Sequence, residues 1–225
     1  MAAIQLKSPV APAPGDTLNP APVPNSNMQA QSAAKPSEEQ IHDKLFKEVL
    51  SNSYPDSVIV KNWMGWSYRG AGDKKEQNRF RREFDLAVFQ RKTIGTTYQL
   101  TLTGYEVKGY SQKPPRSPAF AEGLDQAIVL LQQGADYSFL VHPEPEKEGD
   151  KYALRDLCAR YAPQIGVIFI PHDLSKITFL IKHKEAQQNP HTTPDIKRKM
   201  LTALISGGLR DEISNIPSWA KTQQY

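Results

Sequence analysis

The sequence is poor in cysteine and has no long apolar run. Its one cysteine, Cys158, excludes an internal disulfide and any metal site built from several cysteines. Because Cys158 lies in the helical pattern LRDLCARY, it is predicted to be a small apolar filler and not a nucleophile. No run approaches the roughly 18 apolar residues of a membrane span, and the first residues show no apolar leader segment. These absences predict a cytoplasmic protein with no membrane partner.

Several enzyme signatures are also missing. The chain has no glycine-rich phosphate loop and no Gly-x-Ser-x-Gly nucleophile elbow, which argues against a small-molecule α/β enzyme. The histidines have no convincing metal-binding spacing, so none is placed in the candidate site. They are His42, His142, His172, His183 and His191.

Large apolar residues are almost absent from residues 1–36, which are rich in Pro, Ala, Ser, Asn and Gln. Such a segment cannot bury enough surface to offset its ordering entropy, so we predict a disordered N-terminal tail. It would act as a spacer or as a tether for a partner. Residues 37–225 are long enough to bury one core and are predicted to form a single domain.

Positive charge is concentrated in one part of the chain. From Val60 to Arg116 there are twelve Lys and Arg against five Asp and Glu, a net charge of +7, although the whole chain carries only +4. Aromatic residues interleave with these basic residues, which favours contact with a nucleic-acid backbone; the alternative is a solvated charged loop. The residues predicted to bind nucleic acid are Arg69, Lys74, Lys75, Arg79, Arg81, Arg82, Lys113 and Arg116.

Hydrophobic periodicity predicts an α/β domain with a mixed sheet. The first helix begins after a candidate N-cap, Ser37, and has apolar residues at helical spacing. Three strands follow, in SVIVKNW, REFDLAVFQ and TYQLTLTGYEVKGY, with RKTIGTT as the turn between the last two. After a helix in SPAFAEGLDQAIVLLQQG, the strands DYSFLVHP and IGVIFIP flank the helix KYALRDLCARY, which predicts a parallel pair. The strand KITFLIK and the helix PDIKRKMLTALISGG complete the domain.

Three acid-x-Lys triplets occur, and only one lies on a predicted strand. That one is Glu106 with Lys108; the other two lie in the basic loop and at the start of a helix. Strand periodicity places Glu106 and Lys108 on the side of Leu100 and Leu102, unless Gly104 marks a bulge. Charges that extend an apolar face need a compensating partner, a metal ion or water. The alternative is a structural ion pair on a half-exposed strand.

Asp85 is the candidate partner of this pair. It lies on the preceding strand, which an antiparallel hairpin would bring about 5 Å from Glu106. Two neighbouring carboxylates suit Mg²⁺, which keeps several waters and completes its shell with substrate phosphate. Lys108 would orient or help deprotonate the attacking water, or stabilise the developing negative charge. A carboxylate of the first helix, Glu38 or as second choice Glu39, would complete the shell.

An acidic helix, a strand, EFDLAVF, a strand that ends in YEVKGY, a helix and a strand resemble the αβββαβ core of the PD-(D/E)XK nucleases. The resemblance to this restriction-endonuclease-like fold covers residues 37–171. It implies that Asp85 and Glu106 bind the metal, with Glu38 in support, and that Asp85, Glu106 and Lys108 are catalytic. It also implies a role for Gln126 on the following helix.

Two positions depart from the family pattern. Phe84 stands where the family's nominal proline would be, and Leu130 replaces a tyrosine that some members carry four residues after the glutamine. The resemblance implies a Mg²⁺-dependent nuclease of restriction, repair or junction-cleaving type, with Mn²⁺ as a substitute ion. DNA is the expected partner, with RNA not excluded and a homodimer left open. The alternative is a non-catalytic nucleic-acid-binding or assembly module on the same fold.

Overall fold

The first helix begins at the predicted cap. In the computed structural model, which describes residues 35–63, 83–110, 118–206 and 213–222, Ser37 and Gln40 form a reciprocal capping box. Helix α1 (Glu38–Lys44) continues as a π-helical segment (Leu45–Leu50) and a last α-helical turn (Ser51–Ser53). The apolar residues predicted to face the core are buried; they are Ile41, Leu45 and Val49.

Six strands form one mixed sheet in which the spatial order equals the chain order. The strands are β1 (Ser57–Trp63), β2 (Phe84–Ile94), β3 (Thr97–Val107), β4 (Tyr137–Pro143), β5 (Ile165–Ile170) and β6 (Lys182–Lys184). The first three are antiparallel, β4 and β5 continue parallel to β3, and β6 returns antiparallel. The α/β class, the mixed sheet and the parallel β4–β5 pair are therefore confirmed.

Helices cover both faces of the sheet. One face packs against α1 and its π-helical continuation. The other packs against α2 (Pro118–Gln132), α3 (Glu148–Tyr161), α4 (Pro194–Ser206) and the short α5 (Ser218–Lys221). Cys158 on α3 is fully buried among apolar side chains, as predicted. Because both faces are covered, the strands are more continuously apolar than a half-exposed strand would be.

Two predicted boundaries are wrong. The predicted turn RKTIGTT is mostly strand, because β2 runs to Ile94 and β3 starts at Thr97, which leaves a two-residue turn with Gly95 at φ 61°. The predicted strand KITFLIK is mostly irregular, and only β6 at its end pairs with β5. Phe179 and Ile181 in this stretch are 63% and 58% exposed, so their apolar pattern does not mark a core strand.

The C-terminal segment returns to the outer edge of β1. Ile213 forms an antiparallel bridge with Val60, and the Ser214 N–H donates to the Ile59 carbonyl. Trp219, which the sequence pattern did not place, is buried, and its indole N–H donates to the Asp56 carbonyl. Residues 33–225 form one compact unit. The tail prediction for residues 1–36 falls almost wholly outside the described residues and stays a prediction.

None of the helices in the described ranges is long and apolar enough to cross a membrane.

Candidate active site

Three neighbouring strands place polar residues at adjacent register positions at one end of the sheet. In the β2–β3 ladder, Leu86 pairs with Tyr105, so Asp85 and Glu106 are the next residues across from each other. In the β1–β2 ladder, Asn62 lies between the Lys61–Leu86 and Trp63–Phe84 pairs and is therefore across from Asp85. The ladder is regular at Gly104, so no bulge shifts Glu106. This register brings positions 85 and 106 near each other at the end of the ladder, while their service as one site stays a prediction.

Asp85 is held by the strand beside it. Its Oδ2 accepts a hydrogen bond of 2.7 Å from the Val107 N–H. The side chain is 20% exposed. Burial, and then the negative charge of Glu106, raise the pKa of Asp85 from 3.8 to about 7. Two carboxyl groups thus sit close enough for one to oppose the ionisation of the other.

Glu106 and Lys108 form an ion pair. Lys108 Nζ lies 2.8 Å from Glu106 Oε1, and the glutamate side chain is only 5% exposed. Burial acts to lower the pKa of Lys108, but the hydrogen bond and charge of Glu106, with the charges of Glu38 and Asp85, raise it overall. Lys108 is therefore an ammonium ion at neutral pH.

Glycine at position 123 of α2 makes room for this lysine. A Cβ on Gly123 would lie 2.7 Å from Leu140 Cδ1 and 3.3 Å from both Cγ and Cε of Lys108. Further along α2, Leu130 lies over Gly104 in the same way, 3.0 Å from the position of an added Cβ. Helix α2 therefore runs along β3 in the opposite direction, with its middle turn over Glu106.

Gln126 belongs to that middle turn. It lies three residues after Gly123 and four before Leu130, and its Oε1 is buried with no hydrogen-bond partner among the described residues. A buried amide oxygen without a partner is costly and is typical of a position that serves a ligand or a water. The placement agrees with the predicted site, while the catalytic role of Gln126 stays a prediction.

Glu38 reaches the site from the first turn of α1. Its Oε2 accepts a hydrogen bond of 3.2 Å from the Gly109 N–H, directly after Lys108. A Cβ on Gly109 would lie 2.6 Å from the Glu38 backbone nitrogen, so only glycine allows the helix to approach this closely. Glu38 is also among the charges that raise the pKa of Asp85. Its service as a metal ligand stays a prediction, as does the second choice of Glu39.

His42 was left out of the predicted site, and the structure places it there. The residue is four positions after Glu38 and so on the same side of α1. Its Nε2 lies 3.7 Å from Asp85 Oδ2, and its side chain is 9% exposed. Burial is the largest of the effects that lower its pKa. The i, i+4 spacing of His42 from Glu38 was the available signal, because it places both residues on one side of the helix. The spacings typical of zinc sites, which relate cysteines and histidines to one another, do not include it.

His142 is a second histidine near the site. Val141 on β4 accepts a hydrogen bond from the Lys108 N–H, so His142 follows directly beside Lys108. Its Nδ1 lies 2.8 Å from the Pro143 carbonyl oxygen. Burial first, and the charge of Lys108 as well, lower the pKa of His142.

The predicted nucleic-acid contacts lie outside the described residues. These contacts are Arg69, Lys74, Lys75, Arg79, Arg81, Arg82, Lys113 and Arg116, in segments 64–82 and 111–117. The described chain borders these segments at Trp63, Glu83, Tyr110 and Pro118. Trp63 directly follows Asn62, and Glu83 lies two residues before Asp85, so segment 64–82 is joined to the site through the chain itself.

No group of three or more His, Cys, Asp or Glu in the described part of the chain is arranged to hold a metal ion. A metal at Asp85 would therefore draw on few protein ligands and on water.

Comparison with protein-family models finds no match, and comparison with curated proteins finds none either.

Proposed function

We propose that the protein is a metal-dependent nuclease that hydrolyses phosphodiester bonds of DNA, of the PD-(D/E)XK type. The observation that carries the proposal is the placement of Asp85 opposite Glu106 on adjacent strands, with Lys108 bonded to Glu106. The order of helix, three antiparallel strands, helix and parallel strand supports the same proposal, since it is the order expected of that core.

The carboxyl groups suit a small divalent cation. Mg²⁺ is commonly bound by one or two carboxylates and keeps several waters, so Asp85 and Glu106 suffice as protein ligands. A cation beside Asp85 would offset the burial and, after it, the repulsion from Glu106 that raise the pKa of this carboxyl group. When bound, such an ion lowers the pKa of a water and stabilises charge on the phosphate oxygens.

Lys108 has the protonation state of an electrostatic stabiliser. Its raised pKa keeps the ammonium charged, which favours stabilisation of negative charge on a phosphate over direct deprotonation of water. Its bond to Glu106 holds the Nζ at the end of β3. Gln126, over Glu106, has an amide with which to orient a water or a phosphate oxygen.

A cleavage assay tests the proposal. Full-length protein is incubated with supercoiled plasmid and with branched DNA, in Mg²⁺, in Mn²⁺ and in excess chelator. We expect cutting with either metal and none with chelator. D85N and K108M are expected to reduce the cleavage rate by about 100-fold or more, because each removes a group that faces the reacting phosphate.

D195N is the matched control, because Asp195 belongs to another acid-x-Lys triplet and its side chain is 79% exposed. It should cut like the wild type. Equal cutting by D85N, K108M and wild type would refute the site assignment.

A second candidate function is a nucleic-acid-binding module without catalysis. The observation in its favour is the ion pair of Lys108 with Glu106, because a carboxylate paired with a lysine is less available to a cation. This alternative predicts a salt-sensitive gel shift of DNA that is independent of metal and yields no product. The same incubations, scored for both shift and cleavage, separate the two functions.

A further inference from the structure

His42 presents a buried nitrogen to the site without a hydrogen bond. Its Nε2 is buried and has no hydrogen-bond partner among the described residues. The nearest acidic oxygen is Asp85 Oδ2 at 3.7 Å, which is beyond hydrogen-bond distance. The side chain is more than nine-tenths buried, so bulk water has little access to Nε2. A buried ring nitrogen left in this way needs a ligand.

Asn62 orients the imidazole. Hydrogen bonding to the Asn62 side chain acts to raise the pKa of His42, against the larger opposing effect of burial. Because Nε2 has no hydrogen-bond partner, this bond falls on Nδ1. Asn62 has φ 51°, the left-handed region that asparagine tolerates better than most residues, at the point of β1 across from Asp85. A strained backbone here aims the asparagine at the histidine.

The resulting arrangement sets two acceptors against each other. An Nδ1–H donated to the Asn62 amide oxygen leaves the lone pair on Nε2, which then faces a carboxylate oxygen. Only a proton or a cation between them makes this contact favourable. Metal-bound histidines commonly use the same device, in which the other ring N–H is fixed by an oxygen.

We propose that His42 Nε2 and Asp85 together bind a divalent transition-metal ion, with Asn62 as the positioning residue. The inference deepens the proposed function, on which it rests for the role of Asp85. An ion about 2.1 Å from each ligand atom accommodates donor atoms up to roughly 4 Å apart, which includes the observed gap. An imidazole ligand favours Mn²⁺, and more strongly Co²⁺, over Mg²⁺ and Ca²⁺.

Electron spin-echo spectroscopy of bound Mn²⁺ tests this directly, without any activity measurement. Full-length wild type loaded with Mn²⁺ should show nitrogen modulation from a coordinated imidazole, and ¹⁵N-histidine labelling should change its frequency. H42Q should lose the modulation, and titration calorimetry should show its affinity for Co²⁺ about tenfold lower with little change for Mg²⁺. N62A should weaken Co²⁺ binding, whereas N62D, which keeps an acceptor oxygen, should restore most of it.

H172Q is the control, because His172 stacks on Tyr110 with ring centroids 4.1 Å apart and is not assigned to the site. It should keep the modulation. The labelled wild type shows that an imidazole binds the ion, and loss of the modulation in H42Q but not in H172Q assigns that imidazole to His42.

Three results would overturn the inference: no Mn²⁺ binding, bound Mn²⁺ without nitrogen modulation, or modulation that survives in H42Q. DNA cleavage with unchanged metal affinities in H42Q would refute the inference and leave the nuclease proposal intact. Imidazole ligation without DNA cleavage would support the metal site and refute the nuclease proposal.

Discussion

Among the ion pairs of the described residues, the Lys108–Glu106 pair at the end of β3 does not include the neighbouring buried carboxyl group of Asp85. Lys108 neutralises Glu106 at 2.8 Å, but Asp85 keeps a carboxyl group whose pKa is raised to about 7 by burial and by Glu106. Structural ion pairs are usually fully matched, because an unmatched buried charge is costly. The surplus carboxyl group is what distinguishes this group of residues from a structural pair, and it favours a site that receives a cation.

The carboxylates of the site were predictable, and the spacing from Glu38 indicated the side of α1 on which His42 lies, but the orientation of its imidazole was not predictable. Asp85 and Glu106 follow from hairpin register, which strand periodicity determines once the turn is known. His42 depends on the ring orientation that Asn62 imposes, and the left-handed backbone of Asn62 has no sequence signature. Sequence periodicity indicates which face of a helix or strand a residue lies on. It does not indicate which ring nitrogen of a histidine faces the site.

His142 gives the protein a specific dependence on acid. Its folded-state pKa is lowered, first by burial, so below about pH 6.5 the unfolded chain binds a proton that the folded chain resists. The stability that His142 contributes is complete above that pH and is lost as pH falls. H142F removes this titration, so we expect the unfolding free energy of wild type relative to H142F to fall by up to about 1.4 kcal/mol per pH unit below pH 6.5.

Urea unfolding of both proteins between pH 5 and pH 7.5, in chelator, measures the difference. H191F is the control, since His191 is exposed. Identical pH profiles for wild type and H142F would contradict the prediction.

At the scale of elements, glycines set how closely the helices approach the strands of the site. Gly109 lets α1 meet the end of β3, and Gly123 lets α2 pass over Lys108.

The helices and strands were predicted well where the apolar pattern repeats over many residues, as in α2. The predicted strand KITFLIK was wrong for a physical reason. An apolar segment forms a strand only where a neighbouring strand has a free edge with which its backbone can pair. Here β5 pairs with Lys182 and Lys184 alone.

G123A tests the close approach of α2. Alanine favours a helix over glycine by about 0.5–1 kcal/mol. Its Cβ would, however, lie 2.7 Å from the fully buried Leu140, which then has to move together with Lys108. We expect a net loss of about 1–2 kcal/mol in unfolding free energy and slower metal-dependent cleavage.

G149A is the matched control for G123A, because a Cβ on Gly149 of α3 meets nothing within 4 Å. It should be neutral or stabilising. Stabilisation by G123A equal to that by G149A would show that the contact with Leu140 imposes no constraint. Denaturant unfolding and the plasmid assay supply both readouts.

At the scale of the whole molecule, a buried ion pair ties helix α4 to the sheet, far from the site. Lys197 on α4 donates to both oxygens of Asp136 at 2.8 and 2.9 Å, and Asp136 Oδ2 also accepts from the Leu102 N–H on β3. Lys197 belongs to an acid-x-Lys triplet with Asp195, yet its partner lies 61 residues away. Sequence spacing cannot report a partner that only the fold brings near.

K197M should destabilise the protein by about 3–5 kcal/mol, because it leaves the Asp136 carboxylate buried and unpaired. The double variant D136N/K197M should recover most of this loss, since the asparagine oxygen can still accept from Leu102. K199M, on the exposed side of the same helix, is the control. A double variant no more stable than K197M would contradict the prediction; thermal and urea unfolding provide the comparison.

The bridge between Val60 and Ile213 has a consequence for synthesis. Because each strand pairs with its neighbour in the chain, the sheet can grow strand by strand as the chain leaves the ribosome. Within the described residues, the outer edge of β1 is paired by the segment at Ile213, which emerges on the order of ten seconds after β1 at ordinary elongation rates. An open edge is where other chains add. We therefore expect nascent chains that stop before Ile213 to aggregate through β1. This strand is synthesised first, and its second edge is covered late.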